Sequence, residues 1–494
     1  MKKNIKFSTD KPTCNCGVFG IHGDTKDLPL TTYFGLHALQ HRGQEACGIT
    51  ASFKNGDHKS QFIIHKDFGL VSDVFGKSNF LEKDLKFETC IGHNRYSTFG
   101  ASDSRKNIQP FVVNYRDGNL AMAHNGNLTN AKMLRKKLEK EGAIFQTTSD
   151  SEVVLHLIAR SKKENQIDQI REACDQIEGA FSIIIMTDTS LIGVRDPYGV
   201  RPLCLGKKND AYIISSETCA LDINTAEYIR DIEPGEILVV DKSKNGKEQL
   251  QSYKITNDVH TKHCVFEYIY FSRPDSKIFG SNVDKMRRKL GKNLALNHPV
   301  RDKDGEKVIV ISVPDSSNTA AIGYQNQLEK LGIPSKLEIG LIRSHYIGRT
   351  FLLPAQKKRE IGVRIKFNTV KGVLENRTVV IIDDSIVRGT TSKQLINLLR
   401  EANPKEIHMR ISSPPIYNPC YYGMDFPSKE ELIANRFDDI KAVAKHLEVD
   451  SLEYMTKEEM LESMVDHAPE DFCTACFSGD YPIPIKDIEL LSKK

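Results

Sequence analysis

The sequence predicts two domains of different kinds: an α+β half over residues 16–255 and an α/β half over residues 256–494. Three observations carry this. At 494 residues the chain exceeds what one hydrophobic core holds together. In the first half, short apolar runs such as "GAFSIIIMTD" and "GEILVV" are broken by glycine and asparagine, which reads as strands joined by tight turns. In the second half, "KVIVISVPDSS" and "TVVIIDDSIV" are β-branched runs that end in acidic and small polar residues, then lead into helical segments. Such alternation indicates a parallel sheet with ligands at the carboxyl ends of its strands.

Taken in order, residues 1–15 form a polar leader with lysines but no apolar stretch and no small-residue cleavage site, so it is not a secretory signal. Strand runs follow, among them "IGHNRYSTFG", "LAMAHNGNLTN", "LIGVRDPYGVRPLCLG" and "AYIISSET". Helices interrupt them over roughly 129–141 and 150–163, the second opening after Ser149-Asp150. The polar segment "DKSKNGKEQLQSYKITNDVHTK" marks the domain boundary, in it or just after it. Beyond it, "EIHMRISSPP" repeats the strand pattern, and the charged last 70 or so residues are expected to be mostly helical up to "DFCTACFSGDYP".

Bulk composition excludes several classes. A net charge of +4 over this length is too weak for a general nucleic-acid binder. No run of about 18 apolar residues occurs, so no membrane-spanning helix is expected. Eleven scattered cysteines, an odd number, suit a reducing cytoplasmic setting better than a disulfide framework.

The most informative stretch is "VVIIDDSIVRGTTS", residues 379–392. A buried strand delivers Asp383 and Asp384 to its end, and a small-residue turn opens a helix. Main-chain N–H groups of Ser385 through Thr391 can ring a phosphate, with the Thr390 and Thr391 hydroxyls and the helix N-terminus completing the cradle. Gly389 permits close backbone approach. Two carboxylates directly before such a nest suit a sugar phosphate, whose vicinal hydroxyls they would accept from. An isolated Asp-Asp is more often a solvated turn, but the whole strand–acid–nest–helix string favours the ligand.

This string resembles the ribose-phosphate signature of the type I phosphoribosyltransferases, and lacks the glycine-lysine pair of a Walker loop. The resemblance implies that Asp383, Asp384, Ser385, Arg388, Gly389, Thr390 and Thr391 bind phosphoribosyl pyrophosphate. It further implies that "SVPDSS", residues 312–317, holds the pyrophosphate through Ser316. Mg²⁺ would sit at Ser316, Asp383 and Asp384, since a multiply charged leaving group needs neutralising. The segment "RSHYIGRTFLLPAQKKREIGVRIKF", with seven Lys or Arg against Glu360, has the composition of a flap that closes over a polyanion, through Tyr346 and Arg349. Its "RSHY" stands where relatives often carry Lys-Asn-Arg-Tyr.

In the first half, "CGVFGI", "LQHRGQEACGI", "GHNRYSTFG", "AHNGNLTN" and "TTSDSEV" occur in an order that resembles the glutamine amidotransferases with an N-terminal nucleophile. That family implies a four-layer αββα sandwich. Cys16 would be the nucleophile and its own α-amino group, once freed by removal of residues 1–15, the general base. Asn125 and the Gly126 N–H would form the oxyanion hole. Arg95 would meet the glutamine carboxylate and Asp150 its ammonium, with Arg42 in the "HRG" turn shaping the pocket. Asn15 precedes Cys16 where the family commonly has glutamate.

Cys473 and Cys476 form "CTAC", and after the boundary only Cys264 and Cys420 join them. Four thiolates suit tetrahedral Zn²⁺ or an Fe–S cluster, and composition does not choose. Beyond Cys14 and Cys16, the first-half cysteines Cys47, Cys90, Cys174, Cys204 and Cys219 read as core residues.

Over nearly its whole length the chain resembles the amidophosphoribosyltransferase family, in its iron–sulfur form. The resemblance assigns all four of those thiols to a structural [4Fe–4S] cluster. It implies glutamine and phosphoribosyl pyrophosphate as substrates, with ammonia passed from Cys16 to the second domain to give 5-phosphoribosylamine, the first committed step of purine synthesis. Purine nucleotide feedback inhibitors and a homotetramer are implied as well. An amidotransferase with another acceptor, or a sensor on a decayed enzyme fold, fits the Asp383-Asp384 nest and the intact Cys16 motif set less well.

Overall fold

The computed structural model describes residues 16–23, 27–54, 60–96, 104–244, 249–344, 364 and 366–487. The leader and the flap residues Tyr346 and Arg349 lie outside them.

Alternating apolar residues build two antiparallel sheets in the first half. The seven-stranded sheet runs in the order Glu227–Asp231, Cys204–Lys208, Ala211–Ser215, Gly17–His22, Phe87–Arg95, Ala46–Lys54, Ser60–Phe68. The six-stranded sheet runs Leu250–Lys254, Glu236–Asp241, Ser190–Arg195, Gly179–Thr187, Gly118–Leu128, Phe111–Tyr115. Val18, Ile91 and Ile214 of the first interleave with Ala121, Ile184 and Leu238 of the second in one dry cluster. The outer face of the first sheet packs on helix Leu28–Ala38, and that of the second on Ala131–Lys140, Glu152–Arg160 and Gln166–Gln176. The result is the αββα sandwich expected.

One strand departs from expectation. Leu250–Lys254 lies inside the polar segment read as a linker, and pairs along Glu236–Asp241. It is a sheet edge with none of its residues buried, so main-chain hydrogen bonds hold it and no apolar pattern announces it.

The second half contains a parallel five-stranded sheet in the order Ser335–Leu337, Val308–Ser312, Thr378–Asp383, Glu406–Ile411, Ser451–Tyr454. Numbered by sequence this is the doubly wound order 2-1-3-4-5, and ligands of such sheets bind at the switch point between the first and third strands. Here Ser312 registers with Ile382, so the serine loop and the aspartate pair emerge side by side at that point.

Helix Val283–Asn297 crosses Asn318–Lys330 at a contact that only glycine permits. A Cβ on Gly291 would lie 1.8 Å from the Ala320 carbonyl oxygen, and one on Gly323 2.0 Å from that of Arg288. The C-terminal segment corrects the mostly helical expectation: its α-helices, Ile433–Arg436, Ile440–Leu447, Lys457–Glu462 and Ala475–Ser478, are short and separated by loops and a strand.

We predict that Gly291→Ala lowers unfolding stability by about 2–4 kcal/mol, because neither backbone can retreat from the added methyl. Chemical denaturation measures this, and a loss under about 0.5 kcal/mol would show the crossing to be compliant.

Candidate active sites

The first site forms at one end of the sandwich, where strand ends of the two facing sheets come together. Cys16 immediately precedes strand Gly17–His22, whose Gly17 registers with Asn94, while Ala46 registers with Arg95. Asn125 and Gly126 come from strand Gly118–Leu128 of the facing sheet. His93 Nε2 donates to the His124 carbonyl at 3.1 Å, tying the sheets at this level.

The Cys16 thiol donates to the Tyr96 carbonyl at 3.5 Å. Burial pushes this thiol up to about 11; the Tyr96 hydrogen bond and Arg95 pull it down, and Asp150 and Glu45 add to the rise. Arg95 and Asp150 are thus among the charges that bear on the ionisation of the sulfur. Arg95 is itself pulled down by burial and held up by Cys16 and Glu45. At pH 7 such a thiol is ionised to about one part in 10⁴, so it needs a base to become a nucleophile.

Asn125 is fully buried, and neither atom of its carboxamide has a hydrogen-bond partner. A buried amide left unsatisfied costs about 1–3 kcal/mol, which is tolerable where a ligand oxygen will supply the partner. Gly126 has φ +144°, and a Cβ there would lie 2.0 Å from the Ala180 carbonyl oxygen. Asp150 is anchored by the Leu128 N–H at 3.0 Å and by the Ser151 N–H at 2.8 Å. Ser151 also meets His124 Nδ1 at 2.8 Å, so the acid and the Asn125 strand share one support. The Ser149–Asp150 turn is clamped by Glu152, which accepts from the Gln146 and Thr147 N–H groups at 2.7 and 2.8 Å.

Arg42 is placed differently from expectation. Its guanidinium is fully buried and is held by Glu217, by Glu267 and by Ser272 Oγ at 3.2 Å. Glu267 also accepts from Arg201 Nη1 at 3.2 Å, and Glu217 from the Arg273 N–H at 2.9 Å. These groups join the two halves of the chain, so the Arg42 side chain belongs to that joint and not to a glutamine pocket. What does reach the pocket is the turn: a Cβ on Gly43 would lie 2.8 Å from the Asn94 and Arg95 main chain.

At the switch point of the second half, Asp383 and Asp384 are buried. Asp384 accepts from Ser316 Oγ and, at 2.8 Å, from Ser385 Oγ. Ser317, which the sequence did not single out, donates to Asp383 at 3.2 Å and to Asp384 at 3.4 Å. Gly389 caps helix Thr390–Arg400 with φ +81°. Thr390 is exposed at that N-terminus, and Arg388 Nε reaches Glu431 at 2.9 Å.

Cys264 and Cys473 register on adjacent parallel strands, and with Cys476 they lie in one core cluster against which Cys420 packs. Burial pushes the Cys264 thiol up to about 11, with Arg201 pulling it down and Glu267 and Cys420 adding to the rise. Cys476 is raised well above its ordinary value by burial and by Cys473, Cys420 and Cys264. The Tyr422 N–H donates to Cys420 Sγ at 3.3 Å. Among the described residues no three His, Cys, Asp or Glu side chains are grouped to hold one metal ion.

The sandwich and the Cys16 constellation define a glutamine amidotransferase, and the model of the glutamine amidotransferase domain matches residues 93–222. Amidophosphoribosyltransferase of Bacillus subtilis is 45% identical over 474 residues, covering 95% of this chain and 94% of its own length. The chloroplastic amidophosphoribosyltransferase 1 of Arabidopsis thaliana is 48% identical, covering 97% of this chain and 81% of its own length. The solved glutamine phosphoribosylpyrophosphate amidotransferase of B. subtilis, complexed with ADP and GMP, matches with TM-score 0.85 and 44% identity over 95% of this chain and 98% of that one. The chain belongs to the amidophosphoribosyltransferase family.

Two outcomes follow for this region. Removing the charge of Glu267 by Glu267→Gln leaves Arg42 and Arg201 undercompensated in the interior, and should cost about 3–5 kcal/mol in a denaturation experiment; an unchanged midpoint would refute a structural role for the joint. Burial pushes the Glu152 carboxyl up, but hydrogen bonds from His156, Gln146 and Thr147 outweigh it and bring it to about 2, against 4.5 ordinarily. Its folded value is the lower one, so its contribution to stability is full above about pH 4.5 and lost as pH falls towards about 2. Stability of Glu152→Gln should therefore fall less than that of the wild type between about pH 5 and about pH 3. Identical acid profiles for the two proteins would rule this out.

Proposed function

We propose that this chain makes 5-phosphoribosylamine from glutamine and phosphoribosyl pyrophosphate, releasing glutamate and pyrophosphate. The observation that carries the reading is the convergence of Cys16, Arg95 and Asp150 beside an unpaired, buried Asn125. Residues 1–15 are removed, and the freed amine of Cys16 takes the thiol proton as sulfur attacks the glutamine carboxamide carbon. The oxyanion is received by Asn125 and the Gly126 N–H. The C–N bond breaks, ammonia leaves with the proton the amine held, and water hydrolyses the remaining thioester to glutamate. Arg95 and Asp150 hold the zwitterionic ends of glutamine.

Ammonia passes to the second half and displaces pyrophosphate from C1 of the ribose. Asp383 and Asp384 hold the ribose hydroxyls, the turn from Ser385 through Arg388 and Gly389 to Thr390 and Thr391 receives the 5′-phosphate, and Ser316 faces the pyrophosphate. Tyr346 and Arg349 of the flap remain part of the proposal. Mg²⁺, which neutralises the leaving group, would be held by Asp383, Asp384 and Ser316; one or two carboxylates with substrate phosphates are its usual donors. Cys264, Cys420, Cys473 and Cys476 would hold a [4Fe–4S] cluster that cross-links the C-terminal segment. Inhibition by purine nucleotides, a homotetramer and a cytoplasmic location complete the proposal. Among the described residues no helix is long and apolar enough to cross a membrane.

Changing Cys16→Ala should abolish glutamine-dependent pyrophosphate release and leave ammonia-dependent release within about twofold of the wild type; equal loss of both would contradict the division of labour. Asn125→Ala should lower glutamine-dependent kcat by about 10²–10³ with a smaller change in KM, as expected for a lost oxyanion donor. For the cluster, anaerobically purified protein should contain about four irons per chain and absorb in the visible; zinc without iron would refute that assignment.

A further inference from the structure

The proposed sugar-phosphate site has a support that lies behind it. Arg287 sits on helix Val283–Asn297 and is 2% exposed. Its planar fork is spread over three main-chain carbonyls. Nε donates to Tyr268 at 2.7 Å, Nη2 to Ser272 at 2.8 Å and Nη1 to Ser316 at 3.4 Å. Two of these acceptors belong to the turn that carries Glu267 in the joint between the halves, and the third belongs to the serine loop.

The helix crossing gives this contact its precision. Arg287 lies one turn before Gly291, so both face helix Asn318–Lys330. That helix begins directly after Ser316 and Ser317, and the Gly291 and Gly323 contacts fix how close it comes. The start of the helix, and with it the serine loop, is thereby set against Arg287. Burial pulls the guanidinium down to about 10, and Asp384 is the carboxylate that holds it up most strongly. The same Asp384 accepts from Ser316 Oγ and Ser317 Oγ. Carbonyl, hydroxyl and carboxylate thus form one assembly with the cation beneath it.

We infer that Arg287 is a positioning residue for phosphoribosyl pyrophosphate: it holds the Ser316 main chain so that the serine loop and Asp384 present one preformed binding surface. This rests on the reading that Ser316, Asp383 and Asp384 bind that substrate. Lysine in its place keeps a charge but cannot span three carbonyls, and methionine keeps only the stem.

The test measures ammonia-dependent pyrophosphate release at saturating Mg²⁺ with phosphoribosyl pyrophosphate varied, and separately the KM for glutamine in glutamate formation. Arg287→Lys should raise the KM for phosphoribosyl pyrophosphate about fivefold with kcat within about twofold, and Arg287→Met should raise it about twentyfold. The glutamine KM should stay at its wild-type value in both. If the methionine variant does not fold, as judged by thermal melting, the lysine variant alone decides. A wild-type KM for phosphoribosyl pyrophosphate in folded Arg287→Lys overturns the inference. So does a parallel decline of both substrates' parameters, which is the mark of a general structural defect. Wild-type protein that releases no pyrophosphate sinks the functional reading itself, and this inference with it.

Discussion

The arrangement of the molecule turns on a set of fully buried charges between its halves. Arg42 and Glu217 come from the sandwich, Glu267 from the segment that follows it, and Arg201 from the loop between strands Ser190–Arg195 and Cys204–Lys208. Two guanidinium groups face two carboxylates, so charges cancel within the cluster, and hydroxyls of Ser272 and Ser276 take up remaining carboxylate lone pairs at 2.8 and 2.6 Å. Such a set is no better for stability than a hydrophobic plug of equal volume, but it tolerates only one relative placement of the halves. Two sites that exchange a small nucleophile need that property. An apolar interface can slide by an ångström; a pair of forked guanidinium groups cannot.

The same joint reaches the thiols. Arg201 donates to the Tyr422 carbonyl at 2.8 Å, two residues beyond Cys420, and Cys264 N–H donates to the Val200 carbonyl at 3.0 Å. Burial pulls Arg201 down while Cys264, Glu267 and Cys420 hold it above its ordinary value. Arg201 is thus the buried cation that the thiol-bearing segment shares with the joint. Thr129 and Asp487 extend the seam, with Thr129 Oγ1 donating to the Pro484 carbonyl at 2.9 Å and the Lys132 N–H to Asp487 at 2.7 Å. The C-terminal segment is therefore fastened to the sandwich by polar contacts, which helps short, separated helices hold their places there.

Much of this was legible in the chain because strands with strong apolar alternation and acidic ends announce themselves. "TVVIIDD" becomes strand Thr378–Asp383, and its aspartates stand where the strand order switches. Of the motif residues of the first half, the structure brings Cys16 near Arg95 and Asp150 and puts Arg42 in the joint. Arg42 was misjudged because its partners lie 175 and 225 residues away, and an arginine beside a glycine turn can point to either side of the chain. Leu250–Lys254 escaped notice as an unburied edge strand, and the C-terminal segment looked helical by composition alone. Ser317 lies in the "SVPDSS" loop, but nothing local sets it apart from Ser316, and Arg287 is an ordinary arginine in an amphipathic helix; only tertiary contact distinguishes them. Glu267 was readable in principle, since an acid three residues from Cys264 in an apolar run has to find a buried cation.

The sandwich also explains why a detachable leader is compatible with a hydrolytic thiol. Burial holds Cys16 up to about 11, and among its electrostatic neighbours two carboxylates, Asp150 and Glu45, oppose ionisation while Arg95 favours it. In the proposed mechanism, a peptide bond on the Cys16 nitrogen would leave the residue with neither a thiolate nor a base. Freeing that nitrogen would supply the base at a fixed short distance, because it belongs to the same residue, and no other group would have to move. In that proposed reaction the pocket has to hold glutamine by its own charges, with Arg95 at the end of strand Phe87–Arg95 and Asp150 in the turn before helix Glu152–Arg160.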